Sequence, residues 1–147
     1  MTIFRNKLSF FIITVALVLI ILSCKKDENT YADIPYVFVD FTIDPMFNNL
    51  NNVGDVEVFT GGYRGVIIYR ASLEEFVAFE RTCTYDPQTT CSRLVIDPGS
   101  NIMALDTCCG SSFLLLDGIP NHGPATIPLK QYRTLFDAAN SRLRVYN

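Results

Sequence analysis

The chain has 147 residues, five cysteines, one histidine and a formal charge of −3. That length suits one domain with its own core and is short for two. No cluster of lysines and arginines offers a phosphate-binding face, so nucleic acid is not an expected partner.

At the start, Arg5 and Lys7 precede an apolar run from Leu8 to Leu22, and Ser23 precedes Cys24. This is the order of a cleavable signal peptide over residues 1–23. The run has 15 residues, whereas a bilayer-spanning helix needs about 20. A permanent span is therefore the weaker reading. Ile21-Leu22-Ser23-Cys24 resembles a bacterial lipobox, in which the cysteine is acylated, with palmitate the expected chain, and becomes the mature N-terminus. The resemblance implies a lipid anchor at Cys24 and a place in the bacterial cell envelope, at the outer membrane, on its periplasmic or surface face. Lys25-Lys26-Asp27-Glu28 is similar to the lysine-then-acid start that some Gram-negative lineages use for surface export, and is equally a solvated polar linker. Residues 24–34, with no apolar period, form the lipidated cysteine and its tether. All 15 acidic residues but only 10 of the 12 basic ones follow residue 23, which gives the mature part a formal charge of −5.

Residues 35–147 hold the expected domain. Val37, Val39, Phe41 and Ile43 alternate as one face of a strand, and the runs Val56–Thr60 and Gly65–Arg70 are joined through Gly61-Gly62 in hairpin style. Ser72 to Val77 has a capping pattern, with Glu75 three residues after Ser72, but its length allows only a turn. Further short runs cover Phe76–Arg81, Leu94–Asp97, Ile102–Leu105, Phe113–Leu116, Leu129–Phe136 and Arg142–Tyr146. Turn formers such as Asp97-Pro98-Gly99 and Asp117-Gly118 punctuate them. The rhythm predicts an all-β, antiparallel barrel or sandwich.

Two loops interrupt the strands, Thr82–Cys91 and Asp106–Ser112, and they hold Cys83, Cys91, Cys108 and Cys109. An even number of cysteines in an exported protein points to disulfides.

These loops, in their order and spacing, resemble those of the Rieske iron-sulfur domain, over roughly Val37 to Asn147. The family's first loop reads CxH and its second CPxHGSxF, or CPCHGSxF with an extra cysteine that bridges back to the first loop. Arg81-Thr82-Cys83-Thr84-Tyr85 matches the first with Tyr85 where histidine belongs. Gly110-Ser111-Ser112-Phe113 aligns the second, which puts Asp106 at the second cysteine ligand, Cys108 at the bridging cysteine and Cys109 at the second histidine ligand. Gly123-Pro124-Ala125 and Pro128-Leu129 look like the loop that covers the family's cluster, and Arg142–Asn147 like its closing strand. The resemblance implies an antiparallel Rieske-like fold with two apical cysteine-bearing loops. It favours a Cys91–Cys108 disulfide, the counterpart of the family's bridge, and leaves Cys83 with Cys109 as a second pair. Such a bond would constrain the unfolded chain by roughly 3 to 4 kcal/mol in the loop-entropy model. Adjacent Cys108 and Cys109 reach disulfide geometry only with a distorted peptide.

A standard Rieske centre needs two histidines on one iron and two thiolates on the other. The single histidine, His122, cannot supply both, and Asn121-His122-Gly123-Pro124 reads as a turn with an ordinary loop histidine. No cofactor is therefore expected. The alternative is a 2Fe-2S cluster, zinc or another metal held by the remaining thiols, with Cys83, Tyr85, Asp106 and Cys109 as the candidate ligands. Thiol redox chemistry at Cys83 lacks a CxxC motif. A hydrolase built on Ser111 or Ser112 with His122 lacks a GxSxG elbow. Gly61-Gly62-Tyr63-Arg64-Gly65 sits between strands and opens no helix, so it offers no phosphate cradle. Glu74 and Glu75 read as solvated. No catalytic residue emerges. The sequence points to a cluster-free, disulfide-stapled binding or structural module with an unknown protein partner at the envelope, or alternatively to an electron-transfer protein.

Overall fold

The computed structural model describes residues 33–147. The expected signal peptide, the lipid anchor at Cys24 and most of the tether lie outside the described residues.

Ten strands form, in chain order β1 (Asp40–Ile43), β2 (Val56–Phe59), β3 (Val66–Arg70), β4 (Phe76–Glu80), β5 (Val95–Asp97), β6 (Ser100–Leu105), β7 (Ser112–Leu114), β8 (Pro120–His122), β9 (Gln131–Asp137) and β10 (Arg142–Tyr146). One 3-10 turn, Pro45–Phe47, is capped by Asp44, whose side chain accepts from the Met46 amide. The strands make a six-stranded sheet in the order β1-β10-β9-β4-β3-β2 and a four-stranded sheet in the order β5-β6-β7-β8. Every strand pairing is antiparallel. The expected fold class is the one observed.

Side chains alternate between the two faces of a strand, so a strand covered on both sides reads as an unbroken apolar run. Val-Ile-Ile-Tyr in β3 is such a run. Ile67 and Tyr69 enter one core with Val77 and Phe79 of β4 and with Leu94, Ala104, Phe113 and Leu115 from the smaller sheet and its flanks. Val66 and Ile68 enter the other, with Phe76, Ala78, Val39, Leu143 and Val145. Each fully buried aliphatic or aromatic side chain contributes about 1.5 to 3 kcal/mol by leaving water. The fold is therefore anchored on β3 and β4, and the chain leaving β4 runs straight into the first cysteine loop.

Turn chemistry agrees with the sequence. Ser72 Oγ accepts from the Glu75 amide at 3.0 Å and closes the β3–β4 turn. Asp97 Oδ1 accepts from the Gly99 amide at 2.9 Å, and Asp117 Oδ1 from the Ile119 amide at 3.0 Å. Such side-chain acceptors mimic a backbone turn.

Two local expectations need correction. The first strand begins at Asp40 and not at Val37, because the Asn147 side chain, accepting from the Val39 amide at 3.2 Å and donating to the Val37 carbonyl at 2.8 Å, takes the place of a strand partner. His122 ends strand β8 opposite Ser112 and is not a turn residue. That strand is three residues long and exposed at Asn121 and His122, so it carries almost no apolar signal.

Candidate functional site

The first cysteine loop leaves β4 after Glu80 and returns to β5. It is closed at its base by the Thr82–Arg93 bridge and by the Cys83 amide donating to the Ser92 carbonyl at 3.3 Å. The Arg64 guanidinium pins its tip. Nη1 donates to the Thr90 carbonyl at 2.8 Å, and Nη2 to those of Thr89 at 2.8 Å and Pro87 at 3.2 Å. A guanidinium presents several donors in a fixed plane, which suits it to hold a row of carbonyls.

The second loop, between β6 and β7, is closed by the Gly110 amide on the Asp106 carbonyl at 2.9 Å and the Asp106 amide on the Ser111 carbonyl at 2.8 Å. A disulfide joins Cys91 to Cys108, one cysteine from each loop, with Cα atoms 5.7 Å apart. The residues of the glycine-proline loop lie against this end. Thr84 Oγ1 donates to the Ile127 carbonyl at 2.6 Å, and the Ala125 amide donates to Ser111 Oγ at 3.1 Å.

Between the loops, Cys83, Asp106 and Cys109 converge, with one ligand atom of each within 4.8 Å of the others. The structure does not form the expected second disulfide. Cys83 and Cys109 are free thiols whose sulfurs lie 3.7 Å apart. Cys109 Sγ instead donates to Asp106 Oδ2 at 3.0 Å and contacts Ser111 Oγ at 3.1 Å. Asp106 is 2 % exposed, and its second oxygen, Oδ1, accepts from the Cys108 amide at 2.8 Å. Burial alone would raise the Asp106 carboxyl, but hydrogen bonds from Cys83 and Cys109 and from the Cys108 and Cys109 amides outweigh it, so the group is held below the usual carboxylate range. Burial pushes the Cys83 thiol up, and the neighbouring Asp106 pushes it further the same way.

Of the other candidates, Tyr85 follows Cys83 by two residues with its side chain 55 % exposed, and His122 is not among the converging donors. Among the described residues the site offers two sulfurs and one carboxylate and no imidazole. That set does not fit a Rieske cluster, whose second iron takes two nitrogen ligands.

The sequence reading missed a second centre, beside the first. Glu80 is fully buried and accepts from the amides of Tyr63 at 2.7 Å and Arg64 at 2.9 Å, from Thr82 Oγ1 at 3.0 Å and from the Tyr132 hydroxyl at 2.7 Å. Four donors replace water around one carboxylate. They tie the glycine turn after β2 to β4 and β9 and set the start of the first cysteine loop. A glutamate closing an otherwise apolar strand was the available signal. Arg64 was equally silent in sequence, because its acceptors are backbone carbonyls some 25 residues away.

No family model matches the chain, and no curated protein matches it. Solved structures do. The chain is similar to one in the complex of reduced oxygenase and oxidized ferredoxin in carbazole 1,9a-dioxygenase, at 17% identity over 76% of this chain and 94% of that one, with a TM-score of 0.50. A ferredoxin of carbazole 1,9a-dioxygenase from Nocardioides aromaticivorans IC177 aligns at 15% identity over 76% of this chain and 96% of that one, with a TM-score of 0.46. At such identities the likeness is one of fold. Together with the strand order and the paired cysteine loops, the first of these likenesses identifies the described domain as Rieske-like in fold.

Proposed function

We propose that the chain is a lipid-anchored protein of the bacterial envelope whose Rieske-like domain works without an iron-sulfur cluster, as a binding or structural module. The observation that carries this reading is the donor set at the loop junction: Cys83, Asp106 and Cys109, with no imidazole beside them. A two-iron centre there would leave its outer iron without nitrogen ligands.

What remains is a braced surface. The disulfide, the Arg64 clamp and the Thr84 tie hold both loops in one conformation, while Tyr85 stands exposed on the first. Rigid loops carrying an exposed aromatic lose little entropy on binding, which suits them to a protein partner. The solved neighbour belongs to a complex between two proteins, which supports the same direction. The resemblance of residues 1–23 to a signal peptide and of Ile21-Leu22-Ser23-Cys24 to a lipobox supports an outer-membrane location in this reading.

Iron and sulfide analysis, with absorption spectra, of protein isolated anaerobically from its native host tests the proposal. Colourless protein without stoichiometric iron is expected. Two irons per chain, with the spectrum of a nitrogen-ligated cluster, would overturn it.

The convergence of two thiols and a carboxylate favours one second reading, an electron-transfer protein that holds an iron-sulfur cluster or other metal through unorthodox ligands. Full metal analysis of the same sample separates the two, since the second reading requires a bound redox-active metal.

A further inference from the structure

We infer that Cys83, Asp106 and Cys109 form a site for a single tetrahedral divalent cation of the zinc class, with three protein ligands and a water as the fourth. This goes beyond the cluster-free reading and fails independently of it, because zinc content and iron content are separate measurements.

The geometry carries the inference. Two sulfurs bound to one tetrahedral zinc at about 2.3 Å each must stand roughly 3.8 Å apart. The Cys83 and Cys109 sulfurs stand 3.7 Å apart without being bonded to each other. A disulfide would bring them to about 2.05 Å, so the two sulfurs, in contact and unbonded, already stand at a separation that one tetrahedral ion can bridge. The third donor, Asp106 Oδ2, lies 3.0 Å from Cys109 Sγ. In a tetrahedron of sulfur and oxygen ligands that separation is roughly 3.5 Å. The carboxylate therefore needs to withdraw by about half an ångström as the thiol proton leaves.

The charge arithmetic is favourable. In the metal-free state the site holds two neutral thiols and one carboxylate. A divalent cation enters, two sulfur–metal bonds and one oxygen–metal bond form, and the two S–H bonds break with both protons passing to solvent. The net charge of the site is −1 before and after, so a buried location gains no additional charge. No electron is transferred, and no oxidant or reductant is needed.

Neighbouring groups are arranged to support the ligands. The Cys108 amide holds Asp106 Oδ1, which turns Oδ2 toward the sulfurs. Ser111 Oγ accepts from the Ala125 amide, so its own proton is free to be donated to a Cys109 thiolate. Such outer partners orient ligands and tune their basicity. Two thiolates with one carboxylate in tetrahedral array favour zinc over magnesium or calcium, which take oxygen ligands in larger number.

The test uses the full chain, extracted from membranes under anaerobic conditions. Zinc is measured by mass spectrometry, and the chelated protein is then titrated with Co2+ as the probe. Expected are close to one zinc per chain and, at one equivalent of Co2+, tetrahedral d–d bands with thiolate charge-transfer absorption. Asp106→Asn should weaken Co2+ binding by more than about tenfold, and Cys109→Ser should also remove much of the charge-transfer intensity. The wild-type titration decides the matter even where a variant does not fold. No zinc together with no tetrahedral cobalt spectrum, or a Cys83–Cys109 cross-link in peptide maps of the anaerobic protein, would overturn the inference. Iron in place of zinc would overturn the inference, and two irons per chain with sulfide would overturn the cluster-free reading as well.

Discussion

The Tyr132 hydroxyl donates to Glu80 Oε2 across 2.7 Å and so ties strand β9 to the carboxylate on which the glycine turn and the first cysteine loop both hang. Among the described residues Glu80 has no ion pair, so its charge rests on hydrogen bonds alone. Tyr132→Phe removes one donor and should cost about 1 to 2 kcal/mol in urea unfolding, with the slope unchanged. Glu80→Ala strands four donors in a dry site and should cost about 3 kcal/mol or more. Equal and small effects of the two would show that the carboxylate is not the organising group.

The same pair sets an alkaline limit. Burial pushes the Tyr132 phenol up, and Glu80 beside it pushes it further. A group whose folded-state pKa lies above its unfolded value, about 10 for tyrosine, contributes stability that is fully present below the unfolded pKa. That stability is lost as pH rises toward the folded pKa. The advantage of wild type over Tyr132→Phe should therefore be constant up to about pH 9 and shrink above about pH 10. Urea midpoints at matched pH values check this; a gap that widens with pH contradicts it.

These two residues also mark where the sequence stops being legible. Strands with regular alternation, such as β9 and β10, and unbroken apolar runs, such as β3, declare themselves through burial. Short exposed strands do not: β8 has only three residues, and none of them is buried. At the site, spacing placed Cys83, Asp106 and Cys109 on facing loops, but it gave no account of which hydrogen bond would win. Cys109 has three competing neighbours, a sulfur at 3.7 Å, a carboxylate at 3.0 Å and the Ser111 hydroxyl at 3.1 Å. Arg64 was unreadable for a related reason, since its hydrogen-bond partners are backbone carbonyls that carry no identity in sequence, and two of the four donors to Glu80 are likewise backbone amides.

Arg64 gives a local prediction. Its three bonds to the carbonyls of Pro87, Thr89 and Thr90 hold a loop tip that is otherwise fastened mainly by the disulfide. Arg64→Ala should speed amide exchange in residues 88–91 by about tenfold or more, with smaller effects in β3 and β4. Lysine should rescue only part of this, because one ammonium cannot span three carbonyls. Uniform exchange changes across the domain would argue against a local clamp.

The Cys91–Cys108 bond closes a segment with a sequence separation of 17. Replacing both cysteines with serine should lower stability by about 3 kcal/mol in the loop-entropy model while leaving the strand content intact. Unfolding curves of oxidised wild type and the double variant check it, and coincident curves would remove the bond from the structural account.

Two glycines separate backbone strain from a steric clash. Gly110 (φ +78°) and Gly123 (φ +93°) both hold a conformation that side chains rarely adopt, so alanine costs each about 1 to 2 kcal/mol for that reason alone. Around Gly110 a Cβ meets nothing within 4 Å, whereas at Gly123 it would fall 2.5 Å from Ser111 Cα and 2.8 Å from the Gly110 carbonyl oxygen. These are backbone atoms of the second cysteine loop and cannot rotate aside. Gly123→Ala must push that loop away and should cost about 2 kcal/mol more than Gly110→Ala. Because Ser111 contacts Cys109 and accepts from the Ala125 amide, the displacement should also speed alkylation of Cys109 in Gly123→Ala. The Gly110 variant, with open space for its methyl, should keep the wild-type rate. Equal stability losses and equal alkylation rates in the two variants would mean that the loop carrying Gly123 does not hold the thiol site in place.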